Sequence, residues 1–427
     1  MNLPFKGIKV LDFTQFVIGP VCTQLLGKLG ADVIKIEPVE GDGARITASG
    51  TDSTLFLACN AGKRSLVLNL KEPKGIEIVF KLAKDADVVI ENFRPGVMKK
   101  LGLGYEAISK INPRVIYASL SMYGAVGPLA HRRGADPWAQ AFTGVVAGQG
   151  SPDGSPYLAG HAFMDTGGAL TSSIAIITAL FMREKTGVGQ EVTTNLVSSG
   201  LFMQTTTFGY TLIDGVLLKK GGRGTARGQF PYGAYPAKDG DVVTIFGQDD
   251  HEWPVFCYIL GIEHLLEDPR YQTAKDRTER KFELYPILDE AFRKKTRAEW
   301  AELFKQNGLR CDPCLDYQEV LDHPQFKALD LVVEVEHPVR GRMRTLRPPM
   351  EFDGLFRPTS FRHPPVLGEH TKEILLELGY QPQEIDELEK QGVVGIPIPS
   401  MLKRQEAEKG PPVTIDLGKG VKKRARK

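Results

Sequence analysis

The chain has few cysteines, no excess charge and no long apolar run, and each absence removes a class of function. Five cysteines are scattered through 427 residues, an odd and dispersed set that argues against a disulfide framework. Cys311 and Cys314 form a single CxxC. No further ligand pair stands at zinc spacing and no thioredoxin-like context surrounds it, so no metal is expected and the compartment reads as cytoplasmic. The 54 basic and 52 acidic residues leave a formal charge of +2, which predicts no nucleic-acid partner and no anionic membrane surface. Residues 1–7 lack the charged and apolar regions of a signal peptide. No apolar run reaches the ~18 residues that span a bilayer. The most apolar stretch, 169–182, is broken by Thr171, Ser172 and Ser173 and reads as a buried helix.

Several catalytic signatures are missing too. There is no GxxxxGK[ST] loop, and the first strand-to-helix turn, TQFVIGP, lacks GxGxxG. HExxH and GxSxG are also absent, which removes the common metalloprotease and esterase readings.

What is present is an alternation of strands and helices. Apolar runs at 8–13, 33–36, 66–70, 87–90 and 115–120 read as strands, and 21–29 and 73–84 as helices. Gly19-Pro20 reads as the break that ends the first strand and opens its helix. Strand–helix–strand units of this kind predict an α/β fold with a parallel sheet. Such sheets bind ligands beyond the carboxyl ends of their strands, so segments 14–20, 91–96 and 121–127 are the places to search. A long helix is expected over 166–184. Near Tyr232 a new unit begins, with strands 234–236 and 242–246 around Asp239-Gly240 and helices at 254–260 and 281–296. A proline-rich stretch precedes a helix at 371–378, which Gly379 stops, and residues 421–427 form a basic tail that reads as solvated or as an electrostatic anchor. At 427 residues the chain exceeds one core and predicts two or three domains.

Three elements can carry chemistry. Asp165 precedes the long apolar helix and is followed by Gly167 and Gly168. By position it is an N-cap. The same position predicts a carboxylate kept ionised by the helix dipole, with free N–H groups for an oxyanion and glycines that admit a bulky thioester. The basic residues Lys63, Arg64, Lys71, Arg94, Lys100, Arg132 and Arg133 are either phosphate ligands or solvated surface. The segment 221–229, GRGTARGQ after an initial glycine, is a lid or a plain linker.

Seven stretches in order from residue 7 to about 395 resemble the class III CoA-transferase family (CaiB/BaiF type). They are GIKVLDFTQFVIGP, LGADVIKIEP, NAGKRSLVLNLK, DVVIENFRPG, NPRVIYASLSMYG, MREKTGVGQEV and PPVLGEHTKEILLELG. The family includes formyl-CoA:oxalate and carnitine CoA-transferases and α-methylacyl-CoA racemases. The resemblance implies an α/β large domain with a Rossmann-like sheet made from both chain ends, 1–205 and 331–400. It also implies a linker and glycine loop at 206–230, a small α+β domain at 231–330, a tail at 401–427, and an interlocked-ring homodimer.

It further implies that Asp165 is the covalent nucleophile, with Gly228 and Gln229 at the end of the mobile loop. Gln15, Phe16, Val17, Ile18, Leu68, Leu70, Lys71, Asn92, Phe93, Val97, Lys100 and Arg133 fall where relatives bind CoA, and Lys100 and Arg133 would hold phosphates. The implied partners are an acyl-CoA and a carboxylic acid, with no tightly bound cofactor and succinyl-CoA as the expected donor. Two departures are informative. Ala135 stands where racemases carry a histidine base, which disfavours racemisation. Val17 and Pro38 stand where formyl-CoA transferases carry Gln and Arg, which predicts an acceptor larger and less polar than oxalate. An acyl-CoA racemase and a non-catalytic CoA-binding subunit of a heteromeric transferase are the alternatives.

Overall fold

Apolar, β-branched runs separated by amphipathic segments fold as successive strand–helix units. The structure, a computed structural model, describes residues 3–45, 52–150, 154, 156–217, 220, 222–223, 229–352 and 360–395. Gly228 and the tail 401–427 lie outside the described residues. Strand β1 (Lys9–Asp12) leads to helix α1 (Ile18–Lys28) and strand β2 (Asp32–Glu37). Pro20 lies in the first turn of α1, as expected, while β1 ends before Gly19-Pro20, at Asp12. Gly19 is there for packing, since a Cβ on it would lie 2.2 Å from the Thr14 Cβ.

Helix α2 (Thr54–Cys59) is capped by Ser53, whose hydroxyl accepts from Phe56 N at 3.0 Å. Strand β3 (Lys63–Leu68) ends two residues earlier than expected, because Asn69 folds back on Lys71 N through its side chain. Helix α3 (Pro73–Ala83), strand β4 (Val88–Glu91), helices α4 (Val97–Lys100) and α5 (Tyr105–Ile111) and strand β5 (Ile116–Ser121) follow. Then come α6 (Asp136–Phe142), α7 (Val145–Gly148), α8 (Phe163–Thr186), β6 (Gln190–Asn195), α9 (Leu196–Met203) and α10 (Thr205–Asp214).

The middle of the chain builds a separate small sheet. Strands β7 (Gly233–Ala237) and β8 (Gly240–Thr244) form the hairpin expected at Asp239-Gly240. Helices α11 (Glu252–Leu260), α12 (Ala274–Glu279), α13 (Lys281–Phe292) and α14 (Arg297–Gln306) lead to β9 (Cys311–Pro313), which pairs with β8. These elements share an aromatic core that includes Phe256, Phe292, Trp300 and Phe304. Helices α15 (Tyr317–Asp322) and α16 (Pro324–Leu329) precede a hairpin absent from the sequence reading, β10 (Val332–His337) with β11 (Gly341–Leu346). Helices α17 (Thr371–Glu377) and α18 (Pro382–Lys390) and strand β12 (Val394–Gly395) complete the described chain.

The main sheet has seven strands in the order β12-β3-β2-β1-β4-β5-β6, parallel except for β12, which pairs antiparallel with β3. Both of its faces are covered. Leu11, Ile34, Leu66 and Val89 face α3, α5, α17 and α18, while Val10, Val33, Val88 and Ile116 face α1 and α8. Residues from both chain ends therefore share this α/β unit. Helix α8 corrects the reading of a wholly buried helix. At 24 residues it is long and apolar enough to cross a membrane by length and composition. Its Met164, Ala169, Ile176 and Ala179 are in the core, whereas Leu170, Ile174 and Phe181 are exposed.

Candidate active site

The chain runs from β1 to β2 and β3 on one side and returns to β4, β5 and β6 on the other, so the strand order reverses between β1 and β4. At such a reversal the connections after adjacent strands diverge and leave a crevice beyond their carboxyl ends. Gln15, after β1, and Asn92, after β4, meet there. Gln15 N donates to Asn92 Oδ1 and Asn92 Nδ2 donates to Gln15 O, each at 2.8 Å. Phe16 follows with φ of 65°, a left-handed conformation that a bulky residue avoids, and its ring is exposed. Its N–H donates to Asp42 Oδ1 at 3.2 Å.

A buried charge network holds this loop from beneath. Lys35 Nζ donates to Thr14 O at 2.6 Å and pairs with Asp42 at 2.9 Å. Lys63 Nζ pairs with Asp12 Oδ2 at 2.9 Å, and both side chains are fully buried. Asp12 also accepts from Thr14 N, Thr14 Oγ1 and Thr23 Oγ1. Burial alone would raise the Asp12 carboxyl, but Lys63, Lys35 and the threonine hydroxyls bring it down to about 2. Burial lowers Lys63 to about 8 despite its carboxylate partner. Two phosphate candidates are thereby corrected. Lys63 is consumed by Asp12, and the guanidinium of Arg64 is buried against Asp32, Glu373 and Glu377.

The remaining predicted CoA residues differ in exposure. Leu70 and Phe93 are half-buried on the core beside α3. Lys71, Lys100 and Arg133 are exposed, as are Arg94 and Arg132. Val97 opens α4 and is half-buried. The Leu68 side chain is fully buried in β3, so only its backbone is left to touch a ligand. Val17 is half-buried and Ile18 buried. Ile18 reaches α8, where a Cβ on Gly168 would lie 2.8 Å from its Cδ1. Gln229 is exposed.

Asp165 is not the cap of α8. The N-cap position is Ala162, and Asp165 is the third helical residue. The carboxylate that serves the helix end comes from α6. Asp136 Oδ2 accepts from Met164 N at 2.7 Å and from Asp165 N at 3.0 Å. The neighbouring N–H groups are also occupied, Phe163 N by His161 O at 2.8 Å and Thr166 N by Ala162 O at 2.9 Å. No free N–H remains in this first turn for an oxyanion. The Asp165 carboxyl is pushed up to about 7, by burial first and by the Asp136 charge second, so the expectation of a carboxylate held ionised by the helix end is overturned. The glycines are corrected as well. Gly167 and Gly168 are buried, and Cβ atoms there would meet Met203 Sδ at 1.9 Å and Ile18 Cδ1 at 2.8 Å. They admit neighbouring helices rather than substrate.

Asp136 was missed as a partner of Asp165. Asp-Pro at the start of a short apolar segment marks a helix start, but nothing in the spacing joins it to a residue 29 positions on. Ala135, just before it, is exposed and carries no base. The arrangement offers one half-buried carboxyl of raised affinity for protons at the end of a rigid helix, and exposed cations at Lys71, Lys100 and Arg133. A cavity of about 780 Å³ is bordered by Leu25 of α1, Thr166 and Leu170 of α8 and Leu346 of β11.

Known proteins share this chain's sequence and fold. A family model described as CoA-transferase family III matches residues 5–371. Succinyl-CoA:glutarate CoA-transferase of Homo sapiens is 37% identical over 397 residues, covering 92% of this chain and 90% of that protein. Formyl-CoA:oxalate CoA-transferase of Escherichia coli is 34% identical over 412 residues, covering 90% of this chain and 98% of the relative. A solved CaiB/BaiF family protein from Brucella suis superposes with a TM-score of 0.78 at 34% identity, covering 88% of this chain and 100% of that one.

Proposed function

The chain belongs to CoA-transferase family III and is a CoA-transferase, and from that premise we propose that transfer runs through covalent intermediates on Asp165. The observation that carries this reading is the half-buried Asp165 carboxyl, raised to about 7 at the end of α8. A carboxylate of raised basicity, poorly solvated, is a better nucleophile than one in water. One Asp165 oxygen attacks the thioester carbon, the C–S bond breaks, and CoA leaves as thiolate from a mixed anhydride. The thiolate attacks Asp165 Cγ and expels the donor acid as carboxylate, leaving an aspartyl-CoA thioester. The acceptor carboxylate then displaces the thiolate to form a second anhydride. Attack of the thiolate on the acceptor carbonyl gives the new acyl-CoA and restores Asp165. No proton is gained or lost overall, and each step exchanges activated acyl groups.

The N–H groups at the start of α8 are engaged, so donors to the oxyanion come from elsewhere, and we assign them to the segment ending at Gly228 and Gln229. We place CoA in the crevice at Gln15 and Asn92, with Phe16, Leu70 and Phe93 against its apolar parts. Lys71, Lys100 and Arg133 lie at its phosphates. We propose succinyl-CoA as donor and a dicarboxylic acid longer than oxalate as acceptor. The substitution of Val17 and Pro38 for polar residues supports this choice, as does the likeness to a succinyl-CoA:glutarate enzyme. The five free thiols suit the reducing cytoplasm, where we place the enzyme. The exposed apolar faces of α8 and α10 suit a homodimer.

The test is mass spectrometry after mixing with succinyl-CoA. A hydroxylamine-sensitive adduct on Asp165 is expected, and Asp165→Ala should lose turnover by at least ~10³-fold. Full transferase activity in that variant would sink the reading. Deuterium entering the α-carbon of the acyl-CoA without any acceptor acid would point to a racemase instead.

A further inference from the structure

The end of α8 is fastened by a carboxylate from another helix, and that carboxylate has an ordered shell of its own. Asp136 accepts at Oδ2 from Met164 N and Asp165 N, at 2.7 and 3.0 Å. Its Oδ1 accepts from Gln140 Nε2, one turn further along α6. Gln140 Oε1 in turn accepts from Ala159 N at 2.9 Å, which ties in the loop that leads to α8. The Asp136 and Gln140 side chains are buried. A carboxylate that accepts three hydrogen bonds and donates none has the pattern of the ionised form. The ordinary device, a capping side chain at residue 162, is unavailable because that residue is alanine.

We propose that Asp136 is a positioning residue for the transfer reaction, fixing the backbone at Met164 and Asp165 and presenting a fixed negative charge to the Asp165 carboxyl. The inference rests on the reading of Asp165 as nucleophile. Like charges held close raise the cost of ionising either, and a carboxylate that clings to its proton is the more nucleophilic once ionised. Asp136 thus trades the fraction of Asp165 that is ionised at neutral pH for the reactivity of that fraction. The Cys59 thiol on α2 feels the Asp165 charge. Among the described residues, Asp136 is the charged group that acts on the Asp165 carboxyl.

The experiment is the pH dependence of adduct formation on Asp165 with succinyl-CoA, measured in single turnovers with the full chain. Asp136→Asn keeps an oxygen for the two N–H groups and removes the charge. Its profile should shift to lower pH by about one unit, with a lower plateau rate at high pH. A folded Asp136→Asn protein with the wild-type profile overturns the proposal. The new amide confronts Gln140 Nε2, so a second variant combines it with Gln140→Glu, which restores the bond between the two side chains and the one from Ala159 N, gives up only the long donation from Gln140 Nε2 to His161 O at 3.4 Å, and moves the charge one turn away. That variant should recover most of the melting temperature lost in Asp136→Asn and keep a downshifted profile. A double variant that folds and returns to the wild-type profile also overturns the proposal, since the charge on residue 136 would then not be what acts on Asp165. If the wild-type protein forms no adduct on Asp165 at any pH, the nucleophile reading fails, a result separable from either outcome for Asp136.

Discussion

Asp165 gives up its proton near pH 7 rather than at the ordinary 3.8, and that shift bears on both turnover and stability. For turnover, the nucleophile is the ionised form, so kcat/KM should rise with pH through about 7 and level off above it. A rate independent of pH between 5.5 and 8.5, roughly the span in which this group titrates, would contradict that assignment. For stability the sign is opposite. Between 3.8 and about 7 the unfolded chain has lost a proton that the folded protein keeps. The contribution of Asp165 to stability is therefore present below 3.8, falls as pH rises through this window, and stays low above it. Asp165→Asn removes the unfavourable ionisation. At pH 8 it should raise stability by about 1–2 kcal/mol in urea titrations while abolishing turnover, the usual exchange of stability for activity. The candidacy of Asp165 was legible because an apolar helix follows it and a family pattern falls on it. Its acidity was not. Position alone suggests a helix end that favours the anion, whereas burial and Asp136, brought in from another helix, reverse the sign.

At the scale of elements, the loop between β1 and α1 is what makes the crevice usable, and its shape is imposed from below. Phe16 holds a left-handed φ because Lys35, Asp42 and Asn92 grip residues 14–16 from three sides. Those grips depend on the Lys63–Asp12 pair, since Asp12 orders Thr14 through both its N–H and its hydroxyl. Lys63→Met would leave Asp12 buried with one cation fewer. It should cost about 3–5 kcal/mol of stability and weaken CoA binding, although Lys63 touches no ligand in the proposed site. Isothermal titration with CoA and a denaturant curve measure the two effects, and an unaltered CoA affinity in the folded variant would refute the coupling. The strands themselves were readable from runs such as VVIE and VIKIE. The role of the lysines was not, because basic residues near strand ends look like solvent-exposed phosphate ligands. The available clue was Lys35, in the middle of an apolar strand of a parallel sheet. Such strands are covered on both faces, so a lysine inside one must find a carboxylate. Strand β12 escaped notice for a different reason, since two residues carry no periodicity at all.

At the scale of the whole molecule, the described surface is not finished. Ile174 on α8 is 66% exposed, and Leu212 and Ile213 on α10 are 71% and 83% exposed. Exposed apolar residues of this kind on α8 and α10 suit the homodimer proposed above. A homodimer would cover them, and a charge placed among them should break that dimer. Ile213→Glu is expected to shift the protein toward monomer in light scattering, with little effect on the folding of the aromatic core around Phe292 and Trp300, which lies in a different part of the chain. If the two protomers pass through one another as rings, the ordinary link between dilution and dissociation is lost. Separation then requires a protomer to unfold, not merely the interface to open, so the barrier is that of unfolding rather than of interface rupture. Two differently tagged preparations mixed in buffer should therefore form no mixed dimer over days, and should form it after joint denaturation and refolding. Simple side-by-side dimers of the same buried area would exchange subunits on standing, so mixed species appearing in native buffer would exclude threading while leaving the dimer itself intact.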